Sequence, residues 1–375
     1  MWMFIFLVLP IVGMVYVMWH IWQILPFSNV WRWTAIGIAI ATFLTMFASF
    51  TGILERVPLN VATIIYETGS SFIFILLYLV MTFLVLDALT LTRVIPREWL
   101  YSNGYTATAV TLFICALFVY GNLHYNDKFR QTLHISTTKD IAHSNTADKM
   151  RNDSTSNAKM KIVLLSDLHL GYHNRRAELA RWIDLINKER PDIILIGGDI
   201  IDISVHPLLV ENMAEEFHRL NAPVYACLGN HEYYSGEPLA QKFYDKAGIT
   251  LLRDSVARYR GINIIGRDDR SNPHRLPLRK IMKNVDKNTF TILLDHQPYH
   301  LEQAEREGID FQFSGHTHHG QVWPASWITD ALYECSFGPL KKGDTQYYVS
   351  SGIGIWGGKF RIGTRSEYVV LTLGD

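Results

Sequence analysis

The 375-residue sequence balances 35 Lys+Arg against 35 Asp+Glu, so no bulk basic field points to nucleic acid, and three scattered cysteines (Cys115, Cys227, Cys335) are too few for a disulfide scaffold. The balance hides an uneven layout: residues 1–125 hold four cations (Arg32, Arg56, Arg93, Arg97) and four anions (Glu55, Glu67, Asp87, Glu98), about 6% of that stretch, against about 25% of the rest. Two solvents are implied, hydrocarbon and then water, which excludes a wholly cytosolic enzyme and a disordered chain.

Four apolar runs lead the chain, at residues 2–25, 33–54, 70–92 and 104–122. Each suffices for the ~20 residues of helix that cross ~30 Å of hydrocarbon. The first lacks a basic start and a small-residue cleavage site, so it reads as a retained span and not a signal peptide. The connections carry Trp31, Arg32 and Trp33, then Arg93, Pro96, Trp99 and Tyr101, residue types that favour the interface. Asp87, about a turn and a half before Arg93, reads as a helix-end carboxylate near the headgroups and not as an intramembrane functional group. Loop cations tie, with Arg32, Arg93 and Arg97 against Arg56, Lys128 and Arg130, and leave sidedness open. The expectation is a multi-pass cell-membrane protein with the lipid bilayer as partner: a four-helix transmembrane anchor over 1–125, a polar linker over 126–159, and a water-soluble domain over 160–375.

That last domain alternates short β-branched runs with amphipathic stretches. Strands are predicted at 161–167, 192–199, 224–230, 262–268, 290–296, 311–316, 347–352 and 367–373. Between them, 175–190 places Leu179, Trp182, Ile183 and Ile186 on one helical face before Pro191, and 237–246 reads as a second helix ended by Gly248.

Most of these strands end in a metal-competent side chain. In order come Asp167-Leu168-His169, Gly198-Asp199, Gly229-Asn230-His231-Glu232, Asp295-His296 and Gly315-His316-Thr317-His318. Ligand sites of open α/β sheets lie outside the carboxyl ends of strands, so groups about 150 residues apart can converge. Glycine beside them lets the backbone pass close to an ion. Alternate residues of an extended segment project to one side, which favours His316 and His318 acting together. Nitrogen and oxygen donors without thiolate suit Mn, Fe or Zn and not Ca.

Taken together and in this order, the blocks D-x-H, GD, GNH(D/E), H and GHxH resemble the calcineurin-like metallophosphoesterase superfamily over about residues 160–375. The C-terminal stretch YYVSSGIGIWGGKFRIGTRSEYVVLTL is similar to its bacterial membrane-associated branch, and the N-terminal spans resemble transmembrane proteins with a metallophosphoesterase domain. The resemblance implies an α/β fold: four transmembrane helices followed by a four-layer α/β/β/α sandwich. It implies two divalent metal ions, one held by Asp167, His169, Asp199 and His318, the other by Asp199, Asn230, His296 and His316, with Asp199 as the bridge. It implies in-line attack of a metal-bridging hydroxide on a phosphate ester or pyrophosphate, with His231 as the catalytic residue at the phosphoryl or leaving-group oxygen.

Other readings stay open beside these. The substrate is a lipid or lipid-linked phosphate on one reading and a soluble nucleotide-type phosphodiester on another, while a third makes the domain a metal-stabilised sensor or scaffold without catalysis. Glu232 and Asp295 read either as acceptors behind the ligands or as solvated carboxylates. His173 reads as a cleft residue or as structure, and His300 and His319 fall outside the ligand set. Arg175, Arg176, Arg267 and Arg270 read as phosphate contacts or as solvated charges, and Tyr233, Tyr234, Trp323 and Trp356 as an apolar rim or as core. The oligomeric state is not indicated.

Overall fold

The computed structural model describes residues 2–139 and 159–374 and separates into two compact units. The first is Met1–His124 with Gly357–Phe360, and the second Tyr125–Trp356 with Arg361–Asp375.

The first unit is built on α1 (Trp2–Ile24), α2 (Asn29–Thr45), α3 (Leu59–Leu91) and α4 (Gly104–Asn126). Among the described residues, Asn29–Phe50, Leu59–Leu91 and Gly104–Asn126 are long and apolar enough to cross a membrane, and Val8–Ile24 is a shorter apolar helix. The helix α3 begins at Leu59 and not at residue 70, as the apolar run predicts. Asn60 and Glu67 interrupt hydropathy without interrupting helix, and Pro58 just before the first turn has no N–H to leave unpaired. Met14, Val17 and Ile24 pack with Phe43, Leu76 and Phe83 as its core.

Asp87 lies one turn before the end of α3 and also has partners on α1. The Tyr16 hydroxyl donates to its Oδ2 at 2.5 Å, and His20 Nε2 lies 3.1 Å from the same oxygen. His20 is 1% exposed and stacks on Phe83 with ring centroids 4.4 Å apart. The carboxylate is therefore a polar tie between α1 and α3. Asp87→Leu should destabilise the protein by about 1–2 kcal/mol, because it strands the buried His20 and the half-buried Tyr16 without this acceptor. Denaturant titration of full-length protein in detergent checks this, and an unchanged midpoint would show that the tie carries no stability.

The second unit has two mixed six-stranded sheets. Its strands are β1 (Lys128–Ile135), β2 (Met160–Leu165), β3 (Ile193–Ile196), β4 (Val224–Ala226), β5 (Thr250–Leu251), β6 (Ser255–Tyr259), β7 (Ile262–Gly266), β8 (Phe290–Leu294), β9 (Phe311–Ser314), β10 (Gly338–Lys342), β11 (Thr345–Val349) and β12 (Ser366–Leu373). One sheet runs β1-β12-β2-β3-β4-β5 and the other β10-β11-β9-β8-β7-β6. The β2-β3-β4 and β7-β8-β9 segments are parallel, whereas β12 is antiparallel to β2. Apolar faces of both sheets share one core, where Ile162, Leu164, Ile193 and Leu195 meet Ile264, Ile292, Phe311 and Phe313.

The outer face of the first sheet is covered by α5 (Arg176–Lys188), α6 (His206–Val210) and α7 (Ala214–Phe217). After the short α8 (Asn230–Tyr234), α9 (Glu237–Lys246) completes that layer. All four residues of the predicted α5 face are buried. The outer face of the second sheet is covered by α10 (Leu278–Ile281) and α11 (Glu302–Glu307), which contribute Leu278, Ile281 and Ala304 to a third core cluster.

The linker predicted over 126–159 is corrected at its start. Lys128–Ile135 is a strand, paired in parallel with Ser366–Leu373. It is mostly exposed, as an edge strand permits; Phe129, Leu133 and Ile135 do alternate with polar residues, but Gln131 interrupts the series and the run merges with the polar segment that follows. Residues 140–158 of that linker lie outside the described residues.

Candidate metal centre

Every predicted site residue lies at or just past the carboxyl end of a strand. Asp167 and His169 follow β2, Asp199 follows β3, Asn230 and His231 follow β4, His296 follows β8, and His316 and His318 follow β9. The backbone there is bent out of the ordinary regions: Asp167, His169, Asp199, His316 and His318 all have positive φ, between 46° and 72°. Non-glycine residues avoid that region unless the surroundings force it, at about 1–3 kcal/mol each, and such strain gathers at functional sites. Two glycines make the approach possible. At Gly198 (φ 89°) a Cβ would lie 2.8 Å from both Gly229 N and His296 Nδ1, and at Gly315 it would lie 1.8 Å from Ser166 Oγ.

Three groups of side chains come within metal-binding reach: Asp167, His169 and His318; His169, Asp199 and His231; and Asp199, His296 and His316. Asp167 Oδ1 lies 3.4 Å from His318 Nε2 and 3.8 Å from His169 Nε2, and the two imidazole nitrogens are 3.0 Å apart. Asp199 Oδ2 lies 3.0 Å from His296 Nε2 and 3.7 Å from His169 Nε2, so this one oxygen faces two groups. Asn230 joins through His316, whose Nδ1 is 2.8 Å from Asn230 Oδ1.

The donor set fits cations. Donors at ~2.1 Å from a shared ion are separated by about 3.0–3.4 Å, and several of these pairs fall there. His296 gives the sharper test. Its Nδ1–H donates to the Gly197 carbonyl at 2.7 Å, which in the neutral ring leaves a lone pair on Nε2. That buried Nε2 has no hydrogen-bond partner and faces a carboxylate oxygen at 3.0 Å. Such a contact needs positive charge on or beside Nε2, and against the ring's burial the Asp199 and Asp167 carboxylates supply the pull for it, holding the His296 pKa well above the usual imidazole range.

Electrostatics agree. Burial alone would raise the Asp167 and Asp199 carboxyls, but His318, His169 and His296 around the first, and His296, His231 and His169 around the second, hold both well below the usual carboxylate range. His169 overcomes its burial through Asp167 and Asp202 and is pushed up to about 10. His316 is pushed down to about 4 by burial and by His296. The pocket thus holds anionic carboxylates that draw positive charge, next to an imidazole whose lone pair is free at neutral pH.

Sequence reasoning missed Asp202. It is fully buried, with Oδ1 3.3 Å from His169 Nδ1 and 3.2 Å from His231 Nδ1, and Oδ2 3.7 Å from His173 Nδ1. A carboxylate only accepts, so it favours a proton on the facing Nδ1 of His169 and of His231 and leaves each Nε2 turned toward the pocket. The available signal was a second Asp three residues past Asp199. Arg361 was also missed; it is fully buried and donates to the His318 carbonyl at 2.6 Å. Nothing in its sequence neighbourhood announces it.

The structure places the residues whose readings were open. Glu232 is a buried brace: Oε2 accepts the N–H of Asp199 (3.1 Å) and Gly229 (2.7 Å), and Oε1 that of Ile201 (3.0 Å). His173 is buried, with Nε2 2.6 Å from the Ile355 carbonyl oxygen. Asp295 is buried between Arg267 and Arg275. Arg175 pairs with Glu211 and Arg176 with Glu216, so both serve the helical layer. Arg270 lies over the Tyr299 ring. Tyr233 donates to Asp268, while Tyr234 is exposed with its ring 5.1 Å from that of His231. Trp323 and Trp356 are each partly exposed, His319 stacks on Phe337, and His300 faces Glu302.

Comparison with known proteins meets the same segment. Residues 160–320 match the family model described as calcineurin-like phosphoesterase. The chain is 33% identical over 226 residues to an uncharacterized metallophosphoesterase of Helicobacter pylori, covering 57% of this chain and 60% of that one. It is 31% identical over 225 residues to an uncharacterized metallophosphoesterase of Aquifex aeolicus, covering 57% of this chain and 85% of the relative. A transmembrane protein with metallophosphoesterase domain from Danio rerio is 31% identical over 233 residues, with 57% and 53% covered. The chain spans about 60% of the length of the Helicobacter and Campylobacter relatives.

Proposed function

The chain belongs to the calcineurin-like metallophosphoesterase family, and from that premise we propose that it is a membrane-anchored, dinuclear metal-dependent phosphoesterase. One observation carries the reading: Asp199 Oδ2 faces His169 on one side and the orphaned His296 Nε2 on the other, joining two carboxylate–imidazole groups at one sheet edge. In this reading Asp167, His169, Asp199 and His318 hold one ion, and Asp199, Asn230, His296 and His316 the other. When bound, two divalent cations neutralise phosphoryl charge and lower the pKa of a coordinated water.

The chain's own residues do the rest. His231, with Nδ1 held toward Asp202 and its side chain 15% exposed, presents Nε2 to the phosphoryl or leaving-group oxygen. Asp202 fixes the ring. Arg361 and Glu232 hold the loops carrying His318 and Asp199 in their strained conformations.

We read α1–α4 as four membrane spans. One residue separates Asn126 at the end of α4 from Lys128 at the start of the next domain, which supports a lipid or lipid-linked phosphate ester or pyrophosphate as substrate. Full-length protein in detergent, stripped with chelator and titrated with Mn, Fe(II) or Zn, should take up about two equivalents per chain. Turnover of an aryl phosphodiester should rise with that uptake. Turnover independent of metal would overturn the reading, and uptake without turnover on any phosphate ester would favour a scaffold.

A further inference from the structure

The strands β7 and β8 end at the sheet edge that carries His296, and the next residues build a second cluster. Arg267 Nη1 and Arg275 Nη2 both donate to Asp295 Oδ2, at 3.1 Å and 2.5 Å. Arg267 also reaches Gln303 Oε1 and the Leu276 carbonyl, each at 3.2 Å. Both guanidinium side chains are only 10% exposed, and the buried Nε of each has no hydrogen-bond partner.

Two guanidiniums, one buried and one largely buried, therefore share one carboxylate. The neighbouring carboxylates accept from neutral donors, Asp269 from Gln297 Nε2 and Asp254 from the backbone N–H of Asp268 and Leu276, and Asp254 offsets part of the Arg267 charge from a distance. Burial lowers the Arg267 pKa, the mark of a charge short of compensation. An uncompensated buried charge is costly, and a built site tolerates it when a ligand completes it.

The space for that ligand is present. Two cavities of about 410 Å³ and 290 Å³ share Arg267, Arg275 and Gln303; the larger adds Arg279, Arg306 and one carboxylate, Glu307, and the smaller adds Arg270. Planar guanidinium forks suit the oxygens of a phosphate. Asp295, which both arginines grip, directly precedes His296, so this cluster and the candidate metal centre share one segment.

We propose that this arginine-lined cleft is a subsite for a second anionic group of the substrate, a phosphate or phosphodiester distinct from the one cleaved. The proposal rests on the phosphoesterase reading, yet its test does not. Metal-free full-length protein in uncharged detergent is titrated calorimetrically with inorganic phosphate and, separately, with dihexanoyl phosphatidylglycerol. At least one should bind, and Arg275→Gln and the exposed Arg279→Gln should each weaken that binding about tenfold. Arginine-dependent binding of the lipid alone identifies a headgroup, and of phosphate alone a soluble group; either supports the cleft. Binding of neither probe, or binding that R279Q and a folded R275Q leave unchanged, overturns it. Failure of the metal-reloaded wild type to turn over any ester would remove the phosphoesterase reading and leave this result standing.

Discussion

Asp199→Asn is expected to lower kcat/KM on an aryl phosphodiester by about 10³-fold or more. The substitution keeps the shape of the side chain and an oxygen able to accept the His231 backbone N–H, now made by Asp199 Oδ1 at 2.9 Å. What it removes is the charge facing two groups at once. Oδ2 lies 3.0 Å from His296 Nε2 and 3.7 Å from His169 Nε2. An amide nitrogen there donates to the His296 lone pair, occupying the atom that would otherwise bind a cation. Metal analysis should show the stoichiometry falling from about two per chain toward one or none, while circular dichroism shows the metal-free variant still folded. A variant that keeps both metals and full turnover would sink the bridging role.

The same residue shows how far the sequence could be read. A strand of four buried apolar residues, Ile193–Ile196, followed by Gly-Gly-Asp, announces a carboxylate at a sheet edge, and the other blocks announce their own edges in the same way. Position along the strands was therefore legible, because buried parallel strands carry continuous β-branched runs. The strands at or near the sheet margins were not. Lys128–Ile135, Ser255–Tyr259 and Gly338–Lys342 are partly exposed and polar, and propensity gives them no contrast with loop. Helix length was misread at α3 because hydropathy measures solvent preference and not helix formation. In the site itself, the ligand candidates came from the ordered motif blocks and the family they resemble, and Glu232 and Asp295 stood out as neighbours of His231 and His296, whereas Asp202 and Arg361 had no such marker. Asp202 and Arg361 act through contacts made only after folding, with His231 29 residues away in one case and the His318 carbonyl 43 residues away in the other.

That holding layer leads to the second large effect. His231→Ala should reduce kcat by about 10²–10³-fold while leaving metal content at the wild-type level. His231 belongs to one of the three clustered groups, so loss of activity alone would not separate a ligand from a residue acting on substrate. Its Nδ1 is turned to Asp202 Oδ1 at 3.2 Å and its ring meets that of His169 edge-on at 4.4 Å, which leaves Nε2 as the working atom, and metal content is the readout that separates the two roles. Added imidazole should partly restore the H231A variant, because a mobile base can occupy the vacated volume. Asp202→Asn should cost about 10- to 100-fold and, unlike H231A, should also weaken metal retention, since the same Oδ1 lies 3.3 Å from His169 Nδ1. Combining the two should cost less than the product of the single losses, because part of what Asp202 does is orient a ring that is no longer there. Loss of metal in H231A, or full additivity with D202N, would move His231 from substrate chemistry to ion binding.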